Sequence, residues 1–230
     1  MAFTFPDNIS PEIYPLAWLL GTWRGYGILT YGDAIDEQVV YQEMTFDEDG
    51  GPYVRQITTL WTVDATKSEN LDFEMSGAEG ASRITPAQVW STETAYWRPV
   101  GQRPEIPEDA KDGQTMPETD KPARPSTPIT DLELITADPA GHVAVWEGYV
   151  QGPRIELASQ AVGRTRTAVE VREMGRMFGL VNSDLMWTQD MAAFGQEMGT
   201  YASGRLSRLE EGGSAEPPIG QALGEREDSN

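Results

Sequence analysis

The sequence predicts an all-β fold, an antiparallel barrel of about ten strands preceded by one short helix. Three observations lead there. From Gly21 to Leu209 the chain is mostly a series of segments rich in β-branched and aromatic residues, many joined by short turns. No helical period intervenes between them, which argues against a doubly wound parallel sheet. The one helix signal stands at the start, where a short apolar segment suits the end of a barrel.

Taken in order, Asn8-Ile9-Ser10-Pro11-Glu12 reads as a helix start, with Ser10 as N-cap and Pro11 in the first helical position. The following IYPLAWLL supplies apolar Leu16, Trp18, Leu19 and Leu20, is interrupted by Pro15, and stops at Gly21. GTWRGYG then opens the first strand. Alternate residues of a strand share a face, so Gly21, Trp23, Gly25 and Gly27 form a stripe that is bare except for one indole. Glycine weakens a strand unless a bend or a close approach requires it. The next strands are expected at 38–47, 53–64, 92–99, 129–138, 142–150, 154–162, 167–180, 185–194 and 199–209. Residues Asp49-Gly50-Gly51-Pro52 and Gln151-Gly152-Pro153 are turn signals between neighbours.

Two connections break the rhythm, at about 65–91 and 100–128, and both read as flexible acidic insertions. The second is loaded with proline and acid. Residues 210–230 read as a disordered acidic tail, leaving a single barrel domain over 1–209.

The chain carries 37 acidic and 17 basic residues, a formal charge of −20. Such a surface repels phosphate backbones and anionic lipid, so neither nucleic acid nor a membrane is expected as partner. The absence of cysteine removes disulfides, thiolate metal sites and thiol nucleophiles together. MAFTFPDNISPEIYP has neither the basic nor the apolar region of a secretory signal, and no run approaches the roughly 20 apolar residues of a membrane helix. The expected location is cytoplasmic.

The glycine–tryptophan stripe reads as GxWxGxG over Gly21, Trp23, Gly25 and Gly27. Further along come Tyr96-Trp97-Arg98-Pro99, Ala137-Asp138-Pro139-Ala140-Gly141, Val145-Trp146-Glu147-Gly148, Thr167-Ala168-Val169-Glu170-Val171 and Asp190-Met191-Ala192-Ala193-Phe194-Gly195-Gln196. In these segments and their order the chain resembles the nitrobindins, calycin-type barrels related in shape to fatty-acid-binding proteins. The resemblance implies a barrel holding ferric haem b, with nitric oxide binding or peroxynitrite isomerisation as activity. It makes Gly21, Trp23, Gly25 and Gly27 the family motif beside the cofactor. The resemblance also locates two departures. Tyr201 stands where the family has its axial histidine, and Asp33 falls where a haem-contacting threonine belongs.

The remaining candidates are few. His142 is the sole histidine, at the opening of a different strand, and reads as a strand-end residue. Tyr201 is the better iron ligand, since tyrosinate binds ferric haem in catalase, although a phenol needs a cation or the iron itself to ionise at neutral pH. Arg205, four residues on, is expected on the same face as Tyr201. Met191 and Met198 read as packing, Asp131 and Glu133 as a solvated pair, and Trp90, Trp97, Trp146 and Trp187 as core or lumen lining. No other metal or cofactor site is expected. The expected function is a nitrobindin-like barrel without the His-ligated haem, holding a small apolar ligand in its lumen. The alternatives are a ferric-haem protein, Tyr201-ligated or open, and a non-catalytic interaction module working through the acidic 100–128 segment.

Overall fold

A computed structural model describes residues 9–103 and 127–209. A 3-10 helix, Pro11–Leu19, precedes β1, Gly21–Tyr31. Ser10 caps it, yet its hydroxyl bonds the Glu12 carboxylate, and its carbonyl receives the Ile13 amide. Ile13, Leu16, Ala17 and Leu19 are buried, so this helix closes one end of the core. The strands that follow are β2 (Ile35–Asp47), β3 (Val54–Val63), β4 (Pro86–Arg103), β5 (Ile129–Ala137), β6 (His142–Gln151), β7 (Arg154–Arg164), β8 (Val171–Val181), β9 (Asp184–Ala193) and β10 (Gly199–Arg208). Every neighbour in sequence pairs antiparallel with the next, and β1 pairs with β10, so the sheet closes into a ten-stranded barrel. Closure pairs the strands all round except along part of the β7–β8 seam.

The glycine stripe is explained by that closure. A Cβ on Gly25 would stand 1.9 Å from the Arg205 carbonyl oxygen and 2.6 Å from the Leu206 Cα of β10. On Gly27 it would meet the Ser203 carbonyl at 1.9 Å and the Gln42 side chain at 2.2 Å. Opposite, Gly204 leaves room for the same Gln42 carboxamide and for the Trp187 indole. Gln42 is fully buried, donates to the Ser203 carbonyl at 2.7 Å and accepts from Trp187 Nε1 at 2.8 Å. Trp23 belongs to the helical plug: its Nε1 donates to the Leu19 carbonyl at 2.6 Å, and the Arg208 guanidinium lies 4.1 Å from its ring centroid.

One expectation is corrected here. The segment 65–91 is not simply a flexible insertion before a strand at 92. It contains a short helix, α1 (Gly77–Arg83), and β4 already begins at Pro86. Apolar side chains on the outer barrel face explain the docking. Tyr26, Tyr41, Trp61 and Ile84 form a second buried cluster outside the barrel, and this segment covers it. Tyr26 donates to the Met75 carbonyl at 2.9 Å, and Gly80 rests against the Tyr26 ring. Leu71 and Ile84 of this segment thus join a patch that Tyr26, Tyr41 and Trp61 contribute from β1, β2 and β3. The expectations for residues 104–126 and for the tail 210–230 fall outside the described residues.

The barrel wall is uneven. β7 and β8 pair only from Arg154↔Gly179 to Ala158↔Gly175, and beyond that point they part. Across the gap the Met174 amide donates to Ser159 Oγ at 2.8 Å. The parted stretch leads into the β7–β8 connection, and Val169, Val171 and Met174 there line the lumen cavity.

Candidate functional site

The lumen holds a cavity of about 360 Å³. Met44, Leu60, Met174, Phe178, Trp187 and Met191 supply most of its apolar surface, each on the inward face of its strand. At its mouth stand Trp90, Phe194, Tyr201, Asp138, His142 and Val169. A second concavity, about 490 Å³, is more open and lies around the exposed Met177 and Met186. Its two charges, Arg154 and Arg205, are engaged with Glu156 at 2.6 Å and Asp184 at 2.7 Å, so the lumen is the better candidate site.

Tyr201 reaches the lumen by a break in strand register. Thr200 pairs with Asp190 and Ala202 with Gln189, which leaves Tyr201 as an extra residue opposite none. A β-bulge of this kind re-aims a side chain. Tyr201 therefore shares the cavity side with its neighbour Ala202, while Arg205 points the other way, to Asp184 and the Glu74 carbonyl. The expectation that Tyr201 and Arg205 share a face is corrected by this bulge.

The phenol is already engaged. Trp90 Nε1 donates to the Tyr201 oxygen at 2.9 Å. Burial pushes the phenol above its ordinary range; the Trp90 bond opposes that shift and the Asp138 charge adds to it. Tyr201 thus keeps its proton at neutral pH, and its O–H has no acceptor among the described residues.

His142 sits across the mouth, at the first position of β6. Its Nδ1 lies 3.2 Å from Asp138 Oδ2 and its Nε2 lies 2.9 Å from the Val169 carbonyl, so both nitrogens face protein acceptors. Asp138 Oδ1 also accepts the His142 amide. This cluster ties the β5–β6 turn to the segment leading into β8.

Deeper in the barrel is a buried charge that sequence reasoning missed. Arg176, 5% exposed, makes a two-pronged pair with Glu93 at 2.7 and 3.0 Å and donates to Gln189 Oε1 at 2.5 Å. Its guanidinium carbon lies 4.7 Å from the Trp146 ring centroid. The signal was available: Arg176 alternates with Met174 and Phe178, a charge on an otherwise apolar face.

The other sequence candidates lie elsewhere. Asp33 is exposed in the turn between β1 and β2 and does not line the cavity. Nor do Gly21, Trp23, Gly25 and Gly27, whose environment is the plug, Gln42 and the β1–β10 seam. Asp131 pairs with Arg103 at 2.9 Å and Glu133 with Arg98, both exposed. Met191 lines the cavity, and Met198 is exposed.

Comparison with known proteins places this geometry. The family described as "THAP4-like, heme-binding beta-barrel domain" matches residues 12–208, the whole of the barrel from the plug to the last strand. The chain belongs to the nitrobindin family. This nitrobindin-family barrel is 44% identical over 220 residues to a "Ferric nitrobindin-like protein" of Beutenbergia cavernae, covering 91% of this chain and 100% of that one. It is 33% identical to a "Peroxynitrite isomerase" of Kocuria rhizophila, over 91% of this chain and 97% of the relative. Among solved structures, Rv2717c from M. tuberculosis shares the fold at a TM-score of 0.60 and 22% identity, covering 88% of this nitrobindin-family chain and 99% of its own.

Proposed function

We propose that this barrel binds a small, mostly apolar molecule in its lumen and does not work through a His-ligated haem. The observation that carries the reading is the state of the groups at the mouth. Tyr201, at the position the resemblance implies for the axial ligand, is a protonated phenol bonded to an indole, with no cation beside it among the described residues to favour tyrosinate. A metal-bound histidine turns one bare nitrogen to the metal and its other nitrogen to an orienting partner. His142 turns both ring nitrogens to protein acceptors, the Asp138 carboxylate and the Val169 carbonyl. This donor set does not fit haem iron.

What the lumen does offer is enclosed apolar surface with a few fixed polar groups, the usual character of a small-molecule site. The relatives named peroxynitrite isomerase, together with the inward aim of Tyr201, favour one competing reading: a ferric haem held by Tyr201 or with open coordination. Titration of the purified protein with hemin, followed at the Soret band, separates the two. The expected result is no saturable shift beyond that of a nonspecific protein control. A stoichiometric shift that Tyr201→Phe abolishes would overturn the proposal in favour of tyrosine-ligated haem.

A further inference from the structure

At the mouth of the lumen one side chain joins two loops. His142 opens β6, and its side chain is only 16% exposed. Its Nδ1 lies 3.2 Å from Asp138 Oδ2, which follows β5, and its Nε2 lies 2.9 Å from the Val169 carbonyl, in the connection from β7 to β8. Both oxygens are acceptors. A neutral imidazole donates at one nitrogen and accepts at the other, whereas the imidazolium donates at both. The neutral ring therefore sets a lone pair against an oxygen at one of these contacts, whichever tautomer it takes. Only the imidazolium makes both.

The surroundings suit a cation. Asp138 is aligned on this residue twice, since its Oδ1 also accepts the His142 amide at 3.0 Å. Arg164, the partner of His142 in register on β7, donates to the Ala168 carbonyl at 3.1 Å. The consecutive carbonyls of Ala168 and Val169 are thus held by two cations when His142 is protonated, and by one when it is not. Tyr201 also stands at the mouth, where burial keeps its phenol neutral and Asp138 adds to that effect. Arg166 and Glu170, the other charges of the connection, are exposed. The same loops share a backbone bond, from the Thr165 amide to the Gly141 carbonyl at 2.8 Å, and the Ala168 amide donates to the Thr165 carbonyl at 3.2 Å. Asp138, His142 and Val169 all line the lumen cavity, so the joined loops form part of its rim.

We propose that His142 is a proton-operated clamp on the mouth of the lumen. Doubly protonated, the ring holds the β7–β8 connection against the β5–β6 turn. When it loses a proton, the one that remains stays with the carboxylate, the stronger acceptor, and the Val169 carbonyl is released. The mouth is therefore held at acid pH and loosens on this side as pH rises.

His142 is the sole histidine, so its ring signals in NMR spectra carry no ambiguity. The test follows those signals together with hydrogen exchange at the Thr165 and Ala168 amides, corrected for the intrinsic pH dependence of exchange. The range is about pH 5 to 8, where histidine is the side chain that ordinarily changes charge. Protection of both amides is expected to fall about tenfold as pH rises, with the same midpoint as the ring signals. The Leu206 amide, in the seam of β1 with β10, should keep its protection throughout. His142→Gln cannot titrate and should remove the pH dependence at Thr165 and Ala168. Constant protection in the native protein, or a midpoint different from that of the ring, overturns the clamp. So does a pH dependence that persists in His142→Gln. If that variant also loses protection at Leu206, the agreement of the two midpoints in the native protein decides alone. None of these readouts uses a ligand, so the clamp is tested apart from the lumen-binding reading.

Discussion

Arg176 and Gln42 show how a single side chain inside a barrel sets what the interior can be. Gln42 bonds to a backbone carbonyl and an indole, and it occupies the room that Gly27 and Gly204 leave. That part of the lumen is therefore filled by the protein itself. Arg176 is held by Glu93 and Gln189 among the residues that line the open part of the lumen. The glycine motif is consequently a packing device, and its substitution tests stability. Gly27→Ala forces a methyl group onto the Ser203 carbonyl, a backbone atom that cannot move aside without parting β1 from β10. The expected loss is about 3 kcal/mol or more, at the top of the range for overpacking. Chemical denaturation measures it, and a loss below about 1 kcal/mol would show that the seam yields easily.

At the scale of elements, the join between α1 and the barrel depends on one carboxylate. Asp184, at the start of β9, accepts from Arg205 at 2.7 Å and from the Ser207 hydroxyl, and lies 3.3 Å from the Gly77 amide ahead of α1. Its side chain is only 5% exposed. Asp184→Ala leaves Arg205 without its partner and the Gly77 amide without an acceptor, and the expected cost is about 3 kcal/mol. Asp184→Asn keeps the shape and part of the bonding, so it should cost less. Urea titration of the two variants checks the order; equal losses would mean that the charge, and not the geometry, holds the segment. Sequence reading found the strands of the barrel to within three residues, except the start of β8 and both ends of β4, which runs on to Arg103 through residues expected to begin a flexible insertion. The two misplaced starts have one cause: Ala65 to Ser91 and Thr167 to Glu170 owe their placement to distant partners. The first is held by Tyr26, Asp184 and Ser207, the second by His142 at the Val169 carbonyl.

For the whole molecule, burial of phenols around a closed barrel makes stability sensitive to alkali. Tyr26, Tyr41, Tyr149 and Tyr201 are all raised above the ordinary tyrosine value, in each case chiefly by burial, and Tyr41 is pushed up to about 12. In the unfolded chain these groups lose their protons near pH 10, while in the native state they hold them. Unfolding then releases protons, so stability is full below about pH 10 and falls as pH rises from there toward 12. For Tyr41 alone the loss is on the order of 2 kcal/mol by pH 12. Thermal melts recorded from pH 8 to above 10 should show a plateau and then a decline, and Tyr41→Phe should make that decline shallower. An unchanged slope in the variant would mean that Tyr41 ionises as freely in the native state as in the unfolded one.

The sequence by itself determined the class, the strand order and the family, because these depend on local signals: alternation, turn residues, and glycines spaced two apart along one strand. It also singled out Tyr201, the residue that the resemblance sets in place of a histidine. Tertiary structure alone decided which way Tyr201 points, what the glycine stripe accommodates and that a charge lies inside. Each of these depends on register between strands far apart in the chain. The bulge at Tyr201 exists only relative to Asp190 and Gln189. The bare stripe has meaning only against Gln42 and the backbone of β10. The pairing of Arg176 exists only once Glu93, Gln189 and Trp146 have been brought around it. Alternation tells a residue's side of its own strand; only closure of the barrel tells what stands opposite.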